Sequence, residues 1–178
     1  MGSLRLPRCL SRGLLLGALV VLPAVFPAAG IHAQERQVAR TTEGDNTRFA
    51  SLRADDVNVR AGPGVRYPVK WKFVQRNMPV QIVAEYDTWR KIRDWEGAEG
   101  WVHRAMLSSK RSLIMVGQGQ TMRKDATDES AAVARLATGY VVTVSRCGRD
   151  WCEVEADGYE GWIKRDSVWG ILPGEKLP

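Results

Sequence analysis

The sequence predicts an all-β chain built as two tandem small β-barrels, each of about 60 residues. Three observations carry that expectation. Trp89 is followed by Gly100-Trp101-Val102, and Trp151 by Gly161-Trp162-Ile163, with offsets of 62 and 61 residues between the paired tryptophans. Upstream, Asn58-Val59-Arg60 aligns with Thr121-Met122-Arg123 at an offset of 63. Between these marks, short apolar runs alternate with Gly- and Pro-containing turns, and none sustains a helical period over three turns.

The chain opens with Arg5, Arg8 and Arg12, runs apolar from Leu14 to Phe26, then turns small and polar. That order is the one a secretory signal peptide requires. A run of 13 residues broken by Pro23 is too short to span a bilayer comfortably. Residues 1–33 are therefore expected to be a signal peptide cleaved after Ala33, with Gly30 as the alternative. No stable membrane anchor is expected afterwards, and the location is periplasmic or secreted. Cys9 lies before the apolar run, whereas a lipidated Cys would follow it. Cleavage lowers the net charge from +6 to +3, with 23 basic against 20 acidic groups. That balance makes no case for a nucleic-acid partner, which needs a concentrated basic face. Lys110-Arg111 reads as a solvated linker.

Residues 34–48 are polar, without apolar periodicity, and read as a flexible leader. The first barrel is expected over 49–107. Val57-Asn58-Val59 alternates, Ala61-Gly62-Pro63-Gly64 is a turn, Val80 to Val83 is a strand, and Trp89 to Arg93 is another. Residues 108–112 are a short linker, 113–172 the second barrel and 173–178 a C-terminal tail. Thr127 to Arg135, which contains Ala131, Ala132 and Ala134, is expected as a loop matching Tyr67–Trp71. Each barrel alone would bury only about 60% of its extended surface, so the two are expected to pack together.

Only Cys147 and Cys152 remain after cleavage, in a compartment that oxidises thiols. They flank Gly148-Arg149-Asp150-Trp151, which reads as a hairpin turn that sets its two arms side by side. Residues facing each other in such a ladder are near enough to bridge. A structural disulfide is the favoured reading. The rivals are a metal pair, which lacks His ligands, and a catalytic thiol, which lacks a base.

With these residues placed, the family resemblance can be stated. Asn58-Val59-Arg60-Ala61-Gly62-Pro63-Gly64, then Trp89-x-x-Ile92, then Gly100-Trp101-Val102, resembles the bacterial SH3 domain (SH3b). The second copy is degraded: Thr121-Met122-Arg123-Lys124 replaces its start and the Gly-Pro turn is missing. It keeps Trp151-x-x-Val154 and Gly161-Trp162-Ile163. Together with Pro68-Val69-Lys70-Trp71, Arg93-Asp94-Trp95 and the Cys-x4-Cys hairpin, the pattern is similar to exported tandem SH3-like proteins of Gram-negative bacteria. The resemblance implies SH3-like barrels of five or six short strands. It also implies a partner such as a cell-wall peptide or an envelope protein, since family members bind wall peptides, target hydrolase domains or mediate protein contacts. Fold alone fixes no function.

Trp89, Trp101, Trp151 and Trp162 are the structural anchors, taken to supply the cores. Tyr67, Trp71 and Trp95 have no aromatic counterpart in the second copy and are candidate ligand contacts. Arg66, Glu85, Asp87, Arg93 and Asp94 surround them with mixed charge, as a shallow peptide groove would need. Packing within or between the barrels is the competing role for the same three rings. His103 lacks a catalytic partner and reads as a surface residue. Gly117-Gln118-Gly119 lacks the strand–helix context of a phosphate loop. Asp55-Asp56 and Asp128-Glu129 read as solvated turn acids.

The expected function is a non-enzymatic binding or scaffold protein that recognises a peptidoglycan stem peptide or an envelope protein, without cofactor or metal. One alternative is an accessory subunit or regulator of a cell-wall hydrolase. The other is a hydrolase with thiol chemistry, which would require a free Cys.

Overall fold

The computed structural model describes residues 47–177. The signal peptide expected over 1–33 and nearly all of the leader lie outside the described residues. Seven strands form the first sheet: β1 (Arg48–Leu52), β2 (Val57–Arg60), β3 (Val69–Phe73), β4 (Pro79–Tyr86), β5 (Trp89–Arg93), β6 (Glu99–His103) and β7 (Leu107–Ser108). Seven more form the second: β8 (Ser112–Met115), β9 (Gln120–Arg123), β10 (Ala132–Leu136), β11 (Val141–Cys147), β12 (Trp151–Ala156), β13 (Tyr159–Lys164) and β14 (Val168–Trp169). The orders are β3-β2-β6-β5-β4-β1-β7 and β10-β9-β13-β12-β11-β8-β14, all antiparallel. The two sheets are one topology repeated. Among the described residues the helical pieces are two 3₁₀ turns, Arg104–Met106 and Arg165–Ser167, at the same place in each copy.

Two expectations are corrected. Each sheet has seven strands rather than five or six, because each copy begins with a paired strand and closes with a two-residue strand after its 3₁₀ turn. Residues 132–136, expected within or beside a loop, form β10. An edge strand pairs with one neighbour and leaves Ala132, Val133 and Arg135 exposed, so its buried alternation is confined to Ala134 and Leu136.

Period-two alternation builds each core. Leu52, Val57, Val59, Val80, Ile82, Ile92 and Val102 fill the first. Leu113, Met115, Met122, Val142, Val154, Cys152 and Ile163 fill the second. The four anchor tryptophans are not in these cores, which corrects their assigned role. On β6, Gly100 and Val102 are buried while Trp101 is half-exposed. On β13, Gly161 and Ile163 are buried and Trp162 is half-exposed. Barrels this narrow hold aliphatic and sulfur side chains of moderate size inside and turn the indoles outward.

Both barrels belong to one compact unit. Ser51 and Ser112, both buried, bring their hydroxyls to 2.5 Å, and Ser112 also donates to the Asn77 carbonyl. Phe49 meets Trp169 edge-to-face at 4.8 Å. Cys147 and Cys152 are directly paired across β11 and β12, with Cα atoms 4.1 Å apart and sulfurs at bonding distance. The tail folds back: Leu177 bridges Cys147, and Arg165 donates to the carbonyls of Leu172 and Glu175.

Candidate functional site

The loop between β2 and β3 is held by a half-buried cation in addition to its own turn hydrogen bonds from Gly64 to Gly62 and from Tyr67 to Gly64. Arg60 Nη1 donates to the carbonyls of Val65 at 3.0 Å and Tyr67 at 2.8 Å. Tyr67 lies flat against Gly62, where any Cβ would come within 2.5 Å of the ring. Arg66 sits 5.1 Å from that ring, and the Tyr67 hydroxyl keeps the guanidinium protonated to higher pH. In the second copy Arg123 Nη1 donates to the Ser130 carbonyl at 2.8 Å. The Arg that ends the first motif is therefore a loop plug in both barrels. Its recurrence at an offset of 63 residues was the available signal.

Trp71 closes the open edge of the first barrel. It packs against the core and lies edge-to-face with Phe73 at 6.2 Å. Lys70 covers its ring at 5.1 Å while donating to the Glu99 carbonyl. Trp95 sits half-buried at the tip of the β5–β6 hairpin. That tip is set by buried Asp94, whose Oδ1 accepts from the Ala98 N–H at 2.8 Å and the Glu96 N–H at 3.1 Å. Among the described residues no aromatic contact joins Tyr67, Trp71 and Trp95. Trp71 is committed to packing, and Tyr67 and Trp95 occupy separate loops.

The outer face of each β-hairpin carries the anchors instead. Trp89 meets His103 edge-to-face at 5.5 Å, and Lys91 lies opposite Trp101. His103 has a local task as well, since its Nδ1 accepts from the Ala105 N–H to cap the 3₁₀ turn. Glu99 binds Lys91 at 2.7 Å and Arg93 at 2.5 Å. Hydrogen bonds from Lys91 and then Arg93 hold its carboxyl below the usual glutamate range. In the second copy Lys164 stands 5.7 Å from the Trp151 ring, and Arg146 4.9 Å from Trp162. Rings exposed on one face and backed by cations are suited to contact rather than to core filling.

Beside Trp151 opens a cavity of about 510 Å³. Arg149, Lys164 and Arg165 face it together with Asp128, Asp150 and Asp166, over an apolar floor that includes Val168 and Ile171. Equal numbers of cations and anions suit a ligand carrying both signs. This site was not legible from residue order, because the tail and the 3₁₀ turn close it. A different pair, Tyr140 and Asp157, joins at 2.5 Å, and that bond raises the phenol above its usual range. Among the described residues no three His, Cys, Asp or Glu side chains converge as metal ligands would.

The bacterial SH3 domain family matches residues 53–109 and 116–170. Over 148 residues the chain is 24% identical to YrvJ of Bacillus subtilis (strain 168), provisionally named an N-acetylmuramoyl-L-alanine amidase. The match covers 73% of this chain and spans only 28% of that relative. Among solved structures, NlpC2 of Trichomonas vaginalis aligns with 71% of this chain and 49% of its own, at 11% identity and a TM-score of 0.33. An NlpC/P60 family protein of Bacillus cereus ATCC 10987 aligns with 73% and 58%, at 9% identity and a TM-score of 0.32. Structural likenesses of that size carry no functional argument.

Proposed function

Because this chain belongs to the bacterial SH3 domain family, we propose that it is a non-enzymatic envelope protein that holds a peptide. The peptide is either a peptidoglycan stem or a segment of an envelope protein. The observation that carries this reading is the placement of the anchor indoles. They stand outside both cores, and Trp101, Trp151 and Trp162 have Lys91, Lys164 and Arg146 opposite or beside them, available to an extended ligand. The mixed-charge cavity at Trp151 supports a peptide bearing both ammonium and carboxylate groups. Export by the N-terminal signal would place the protein in the periplasm or outside the cell. There Cys147 and Cys152 would be oxidised and unavailable as nucleophiles.

A second reading, an accessory or regulator of a wall hydrolase, draws on the amidase-named relative, which extends far beyond the matched segment. Sedimentation with purified sacculi tests the wall ligand. The protein should pellet with sacculi at micromolar concentration. Failure to pellet would remove the wall version and leave a protein partner.

A further inference from the structure

A groove of about 460 Å³ on the first barrel combines an arginine rim with an apolar floor. Arg48, Arg90, Arg104 and Arg111 form the rim, and Phe49, Ile82 and Leu107 belong to the floor. Among the described residues, two carboxylates contact these guanidiniums. Glu85 binds Arg48 at 2.5 Å and Arg90 at 3.1 Å, and Glu175 binds Arg111 at 2.6 Å. Among the described residues, four cations against two anions leave a net positive rim over a floor where only the edges of Phe49 and Leu107 reach solvent.

The rim also holds unused donors. Arg90 is largely spent on its own chain, since Nη1 donates to the Asp87 and Trp89 carbonyls. Arg104 is exposed, and its guanidinium meets no acceptor among the described residues. Arg111 is held by Glu175 and the Gly170 carbonyl, yet its Nε is buried with no partner. That buried Nε faces the interior, so the donors open to an incoming acceptor are those of Arg104 and the exposed part of Arg48.

We propose that this groove docks an acidic peptide segment of a partner protein, with carboxylates on the arginine rim and an apolar side chain on Phe49 and Leu107. Planar guanidiniums accept carboxylates in paired hydrogen bonds. An extended peptide presents acidic and apolar side chains alternately, which matches a charged rim above an apolar floor. A phosphate polymer would satisfy the rim but make no use of the exposed edges of Phe49 and Leu107. The site is separate from the cavity at Trp151 and does not depend on a wall ligand.

Fluorescence anisotropy with the full chain and a fluorescein-labelled peptide Asp-Glu-Leu-Phe-Glu-Asp tests this. The acidic peptide should bind about tenfold or more tightly than its Asn/Gln analogue, and added salt should weaken it. Arg104→Gln should weaken binding at least about fivefold, the loss expected for one charge-assisted hydrogen bond. Arg48→Gln, at a second exposed rim position, should do the same, with circular dichroism unchanged for both. Equal affinity for the two peptides, unchanged affinity in both variants, or tighter binding of linear polyphosphate would each overturn the proposal.

Discussion

Replacing Gly161 with Ala isolates the reason for the Gly-Trp pair that marks each repeat. A Cβ there would sit 2.7 Å from the Arg123 carbonyl oxygen and 2.7 Å from Met122 Cγ. The Met side chain can yield, but the carbonyl belongs to β9, which runs beside β13. At Gly100 a Cβ would stand 2.4 Å from Val59 Cγ1 and 3.1 Å from the Arg60 carbonyl. Overpacking costs about 1–3 kcal/mol, and Ala returns roughly 0.5–1 kcal/mol of the entropy that Gly loses on folding. The net expectation for Gly161→Ala is a loss of about 1–2 kcal/mol, or roughly 3–6 °C in Tm for a chain of this size. Gly148→Ala is the control, since its nearest neighbour would be an ordinary contact at 3.6 Å. That variant should stay within about 0.5 kcal/mol of the parent. Urea unfolding followed by tryptophan fluorescence reads both variants against the parent. A Gly161→Ala protein as stable as the parent would refute the close-approach argument.

Three further outcomes are expected. Trp71→Ala should cost about 2–3 kcal/mol in urea unfolding, since that ring packs against the core, whereas Trp95→Ala should cost less than about 1 kcal/mol; equal costs would contradict the placement. The exported protein should show no titratable thiol before denaturation, and replacing Cys147 and Cys152 by Ala should destabilise by about 2 kcal/mol or more; two reactive thiols would revive a thiol hydrolase. Glu99 and Glu175 have pKa values below the usual glutamate range, held down chiefly by their Lys91 and Arg111 hydrogen bonds. Their stabilisation should be complete above about pH 4.3 and vanish as pH falls through the depressed values. Glu175→Gln should flatten the acid limb of a Tm-against-pH curve, and an unchanged limb would count against the Arg111 pair.

The repeat and the fold class could be read in the residues because they depend on local chemistry. Alternation at Val57-Asn58-Val59 and the Gly148–Asp150 turn state their strands outright. β10 could not be read this way, because an edge strand that turns only Ala134 and Leu136 toward the core has too short an alternation to announce it. The anchors were identified correctly as recurring residues but assigned to the wrong side of the sheet. Period two says that Trp101 and Val102 face oppositely; only the barrel's width decides that the larger ring goes out. The arginine groove was hidden for another reason. Arg48, Arg90, Arg104 and Arg111 are scattered over more than sixty residues, and Arg111 sits where sequence shows only a polar linker. Tertiary closure gathers them.

Incubating the purified protein with sacculi, while measuring pelleted protein and solubilised wall fragments in the same tube, bears most directly on a module that binds without turnover. The expected result is saturable pelleting with no fragment release above buffer. Fragments appearing in proportion to added protein and time would show a catalyst and contradict the account.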